Sequence, residues 1–109
     1  MKEFNPNDAI DYIFKNAPFY AQAKGELAEL EAYKSSLKAI KMAQSGENTI
    51  AGKEMEAYRS PEYQDLCKGI GAATEKVELL KWRLEAAKMK FQAWQTQSAN
   101  DRQIDKMLK

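Results

Sequence analysis

Two pairs of acids stand three residues apart, Asp8 with Asp11 and Glu75 with Glu78. On a helix that spacing puts both carboxylates on one face, the starting point for general acid and base work or for a carboxylate metal site. Catalytic carboxylates also need a cleft and separated pKa values, and a metal site needs acids converging from several helices. The chain has no histidine, so it lacks the commonest general base near neutral pH and the commonest metal ligand. Zinc-finger, His-containing triad and His-relay chemistry are thereby excluded. Cys67 is the single cysteine; it cannot close an internal disulfide, and beside Leu66 it reads as a packing residue, not a nucleophile. Gly69 and Gly71 flank Ile70 without the spacing or the Gly-Lys-Ser/Thr ending of a phosphate loop; they read as a place of close helix packing. No residue earns a catalytic, metal or cofactor assignment, and we expect no cofactor and no enzyme.

Two other groups of residues could do work. Lys81, Arg83, Lys88, Lys90 and Arg102, with Trp94 among them, are candidate nucleic-acid contacts, since cations hold phosphates and an aromatic can stack on a base. Phe91, Trp94, Ile104 and Leu108 are candidates for an oligomer or partner surface.

The elements that carry them are helices. Asn5, Pro6 and Asp8 form a helix start, with Asn capping, Pro in the first position and an acid at the positive end. A short first helix is expected over 6–16, ended by Pro18, because a residue before proline is pushed out of the helical region. A second helix is expected over 19–44, where good helix formers dominate. Its apolar stripe is Ala23, Leu30, Tyr33, Leu37 and Ile40, with Leu27 beside it. Residues 45–60 read as an elaborated connection: Ser45, Gly46, Glu47, Asn48 and Thr49 are a loop signal, followed by a short helix over 50–58 presenting Met55 and Tyr58.

Ser60, Pro61 and Glu62 give the strongest helix start in the chain. Tyr63, Leu66, Ile70, Ala73, Val77 and Leu80 follow at alternating steps of three and four, and Leu84, Ala87, Phe91, Trp94 and Ser98 continue them. That repeat predicts a coiled-coil-like seam from 61 to about 100, roughly 60 Å long. Residues 101–109 read as a frayed tail. The expected fold is all-α, a single domain over 1–109: an antiparallel helical hairpin with one long C-terminal helix and a short N-terminal one. The long helix should outrun its mate, leaving Phe91 and Trp94 either under the first helix or open to an oligomer or partner.

Bulk composition supports a modest core, with 44% hydrophobic residues among 109. The formal charge of +1 supplies no global field toward DNA or an anionic membrane. Locally the charge is segregated: the first 33 residues hold six acids against three lysines, and 81–109 holds seven bases against three acids. The acidic start of the second helix should therefore approach the basic end of the last one. With no leader and no apolar run near 18 residues, the chain reads as soluble and cytoplasmic, without a membrane partner.

Three strings carry a resemblance: Glu56-Ala57-Tyr58-Arg59-Ser60-Pro61-Glu62-Tyr63, Lys81-Trp82-Arg83-Leu84-Glu85-Ala86-Ala87-Lys88, and Ala93-Trp94-Gln95-Thr96-Gln97-Ser98-Ala99-Asn100. With the Asp11-Tyr12 region, they make most of the chain similar to small helical proteins of bacteriophages and prophages, often encoded among replication and recombination genes. The resemblance implies an accessory factor in a bacterial host cell, acting on phage or host nucleic-acid machinery. The function we expect is binding of another macromolecule through a helical surface by a homo-oligomer, a dimer. Direct nucleic-acid binding in recombination or replication, and inhibition of a host nucleic-acid or defence protein, are the alternatives.

Overall fold

The computed structural model describes residues 4–108. It contains three helices, α1 (Pro6–Ala43), α2 (Ile50–Arg59) and α3 (Pro61–Leu108), and no strand among the described residues. The fold is all-α. No helix among these residues is long and apolar enough to cross a membrane.

The start of α1 is capped as the sequence predicts, with the Asn7 amide donating to Asn5 Oδ1 at 2.9 Å. The expected break at Pro18 is absent: α1 runs 38 residues through it, so the short N-terminal helix and the second helix are one element. The reason lies in which face Pro18 occupies. Ala9, Ile13, Asn16, Tyr20, Ala23 and Leu27 are buried or half-buried at steps of four and three. Pro18 sits two residues from both Asn16 and Tyr20, about 160° from their direction, and is exposed. A proline there loses one helical hydrogen bond but disturbs no packed side chain, and the deprived Phe14 carbonyl lies on a residue open to water. The polar Asn16 within the stripe donates through Nδ2 to the Tyr12 carbonyl at 2.8 Å.

The chain divides into two units, one taking in 4–20 and 79–108, the other Ala21–Glu78. Within Ala21–Glu78, α1 and α3 run antiparallel, since Lys41 Nζ lies 3.1 Å from Glu62 and Glu26 lies 3.8 Å from Lys76 Nζ. Ala23, Leu37, Ala57, Tyr63 and Val77 are buried there. The stripe of α1 continues through Leu27, Leu30 and Leu37, whereas Tyr33 and Ile40 are nearly half exposed. That corrects the expected stripe: stepping by four and three from Leu30 passes the exposed Lys34 to reach buried Leu37 and half-buried Lys41, and Tyr33 and Ile40 each fall one residue short.

The connection holds α2 against this pair. Ser45 Oγ donates to the Glu56 carboxylate, Lys38 Nζ lies 3.5 Å from Glu54 and 4.9 Å from the Tyr58 ring centre, and Tyr58 meets Tyr63 edge-on at 5.2 Å. Gly52 fits closely against the cap: its amide donates to Thr49 Oγ1 at 3.0 Å, and a Cβ would crowd that oxygen at 3.0 Å and Glu47 Cβ at 3.2 Å. Ser60 alone separates α2 from α3, extended before Pro61. Its hydroxyl donates to the Ala57 carbonyl at 2.7 Å and accepts from the Tyr63 amide at 3.3 Å, so one side chain closes one helix and opens the next.

The α3 stripe lies where the repeat put it: from Tyr63 to Ser98 every expected position is buried or half-buried except Trp94, which is 38% exposed. The helix does not end near 100. It continues to Leu108, so the expected frayed tail is helical over 101–108, and Lys109 falls outside the described residues. Neither does close packing explain Gly69 and Gly71, since a Cβ at either would meet nothing within 4 Å. Nothing in the structure explains glycine there.

Candidate functional site

Within Ala21–Glu78 a groove of about 800 Å³ lies beside the helix junction, lined by Lys41, Glu56, Arg59 and Glu62 among others. Glu62 accepts from its own backbone amide in the first turn of α3 and from Lys41, and both hold its carboxyl below the ordinary value. The hydrogen bond to Tyr58 does most to raise Lys38 above the ordinary lysine value, with Glu54 adding to it. These charges brace the junction. Of the residues considered for chemistry, Glu75 and Glu78 are exposed, Cys67 is a half-buried free thiol, and no three acids or thiols converge into a metal-holding group among the described residues.

The second unit carries the surfaces proposed from sequence. Asp8 and Asp11 are exposed there. Phe91 is half-buried, and its ring stands 5.8 Å from that of Trp94, tilted by 34°. Ile104 and Leu108 are exposed, and so is every residue from Ala99 to Leu108. The four candidate residues therefore divide into a pair of neighbouring rings, Phe91 half-buried and Trp94 38% exposed, and a fully open pair.

The cations divide as well. Arg83 and Lys90 line one groove of about 650 Å³ together with Phe4, Asp8 and Tyr12. Lys81 and Lys88 also stand seven residues apart but point about 140–180° away from that pair. Lys81 Nζ lies 5.6 Å from the centre of the Trp82 ring, Lys88 is exposed, and Arg102 is exposed more than two turns beyond. The structure brings two of the five together and leaves three apart.

A further surface was missed. Leu79, Trp82, Ala86, Met89 and Ala93 are exposed at steps of three, four, three and four. Each lies two residues beyond a position of the packed stripe, Val77, Leu80, Leu84, Ala87 and Phe91, and thus about 160° around the helix from it. Trp82 is 59% exposed and Met89 54%. The signal lies in the spacing, but the stronger apolar repeat from Tyr63 to Ser98 on the same helix masks it.

No protein-family model matches the chain, and no curated protein or solved structure matches it.

Proposed function

We propose that this chain is a non-enzymatic accessory protein of a bacteriophage or prophage that binds another macromolecule through α3 from Leu79 onward, and that it works as a dimer in the bacterial cytoplasm. The observation that carries the reading is the density of large apolar side chains exposed there: Leu79, Trp82, Met89, Trp94, Ile104, Met107 and Leu108. Scattered exposed apolar residues are ordinary, whereas a concentration on one helix favours an interaction surface. Recovery of bound macromolecules from phage-infected bacteria tests it, using the intact chain beside Trp94→Asp and Leu108→Asp. Leu108 lies in the last turn and is 81% exposed, so its variant keeps the fold even if Trp94→Asp disturbs it. A specific partner lost with Leu108→Asp is the expected result; capture unchanged in both variants, or no specific capture, overturns the reading.

Direct nucleic-acid binding is favoured by one observation, the shared groove of Arg83 and Lys90 with the rings of Phe4 and Tyr12. It requires affinity for a labelled oligonucleotide that falls with added salt and with Arg83→Glu plus Lys90→Glu. Binding absent at low salt refutes it.

A further inference from the structure

The exposed stripe of α3 is a second heptad seam on a helix whose first is already occupied. Continued past Leu79, Trp82, Ala86, Met89 and Ala93, the same steps reach Thr96, Asn100, Gln103 and Met107, all exposed. Assigned as a heptad, Leu79, Ala86, Ala93, Asn100 and Met107 take position a, and Trp82, Met89, Thr96 and Gln103 take position d. The seam covers about four heptads, roughly 40 Å of helix. Small a residues at 86 and 93 leave room for the large d residues between them.

The flanks say what covers it. Glu78 and Glu85 occupy position g, and Arg83 and Lys90 occupy position e. In a parallel pair in register, each g residue meets the e residue five positions further along the other helix. Glu78 then faces Arg83 of a second copy, Glu85 faces Lys90, and the two-fold axis repeats both contacts. In an antiparallel pair g meets g and e meets e, which would set acid against acid and base against base. None of these four side chains enters an ion pair among the described residues. Asn100 at position a is the kind of residue that fixes register and a two-stranded state.

We propose that the stripe from Leu79 to Met107 is the interface with a second copy of this chain, with the two α3 helices parallel and in register and Glu78–Arg83 and Glu85–Lys90 contacts crossing between them. The inference rests on the dimeric part of the proposed function and specifies its surface and direction. It places the dimer on the face turned away from the Phe91 and Trp94 stripe, with Ile104 at the seam's edge and Leu108, two heptads beyond Trp94 on that other face, left for another partner.

Sedimentation equilibrium across the micromolar range, on the full chain, tests it. Wild type is expected as a two-copy species. Glu78→Lys with Glu85→Lys, and separately Arg83→Glu with Lys90→Glu, should each raise the dimer dissociation constant by about tenfold or more, and mixing the two variants should restore association. Glu78, Arg83 and Lys90 are exposed and Glu85 is half-buried; circular dichroism should stay helical in both. In a Cys67→Ser background, Ala86→Cys should form an interchain disulfide on mild oxidation, because identical a positions adjoin only in the parallel, in-register pair. A monomer at all concentrations overturns the proposal, as does a dimer indifferent to both charge reversals or one whose Ala86→Cys chain fails to crosslink. A dimer abolished by Trp94→Asp but not by Trp82→Glu moves the interface to the other face: it overturns this inference and leaves the dimeric reading standing. Loss of partner capture in cells with the dimer intact bears on the proposed function alone.

Discussion

Replacing Pro18 with alanine should stabilise the protein, although proline removal is usually thought of as loosening a chain. Pro18 lies inside the 38-residue α1, it is exposed, and its direction is opposite that of Asn16 and Tyr20. The substitution therefore touches no packed side chain. It restores the amide that the Phe14 carbonyl lacks and removes the ring that crowds that carbonyl. The difference between proline and alanine in a helix interior is about 3 kcal/mol. Alanine also returns freedom to the unfolded chain, offsetting about 0.4–1 kcal/mol. A net gain of about 2 kcal/mol follows, a rise of roughly 10 °C in melting temperature for a domain of this size. Urea titration followed by far-ultraviolet circular dichroism, at one protein concentration, reads it as a higher midpoint with unchanged slope. A midpoint that stays or falls refutes the reasoning, because the chain would then be ending a helix at Pro18, as its sequence suggests, and using the proline to turn.

The other predictions concern single contacts. Leu37→Ala, at a buried position of α1, should cost about 2–4 kcal/mol in the same titration, while Tyr33→Ala, at a position 49% exposed, should stay within about 0.5 kcal/mol; equal costs would place the α1 stripe wrongly. Ser60→Ala should cost about 1 kcal/mol by uncapping α3, and a neutral result would show that the 3.3 Å contact with the Tyr63 amide contributes nothing. Glu62 has a folded-state pKa below its ordinary value of 4.5, so its stabilising contribution is present above that pH and disappears as the pH falls through the lower folded-state value. Melting temperatures taken down through that range should fall less steeply for Glu62→Gln than for wild type; identical acid limbs would remove the Glu62 contacts as their cause.

The parts of the fold legible from sequence are those that depend on period and caps. Ser60 before Pro61 announced α3, and the alternation from Tyr63 to Ser98 located its packed stripe almost residue for residue. Pro18 was misread because the rule for proline concerns its own hydrogen bond and ring, whereas its tolerance depends on the face it occupies, which only the packed neighbours reveal. The α1 stripe drifted onto Tyr33 and Ile40 for a related reason: two large apolar residues outweighed Lys34 and Lys41 in a count of hydrophobicity, although a lysine can lay its stem along a seam and keep its ammonium in water. Lys41 is half-buried in that manner and reaches Glu62. On the candidate surface, the separation of Lys81 and Lys88 from Arg83 and Lys90 followed from spacing, while the groove shared with Phe4 and Tyr12 required the fold.

The position of the ion pairs gives the near-neutral charge a different meaning from the one its segregation suggested. The acidic start of the expected second helix meets Lys76, short of the basic segment 81–109, through Glu26, and the pairs Lys38–Glu54, Lys41–Glu62 and Lys76–Glu26 fall within Ala21–Glu78. Beyond Leu80 the bases form none among the described residues. An exposed pair contributes about 0–1 kcal/mol, and an exposed unpaired cation costs still less, so the stability of one chain places almost no constraint on which residues of this helix carry charge. Glu78 and Glu85 nevertheless line one edge of an exposed apolar stripe, and Arg83 and Lys90 the other. Neutralising Glu78 and Arg83 together, as Gln, separates the two levels. Under dilution to monomer the melting temperature should be unchanged within about 0.5 kcal/mol of stability, while self-association at higher concentration should weaken. A double variant that destabilises the monomer instead would show that these charges serve the fold of the single chain, and the pattern would lose its meaning as an address for a second copy.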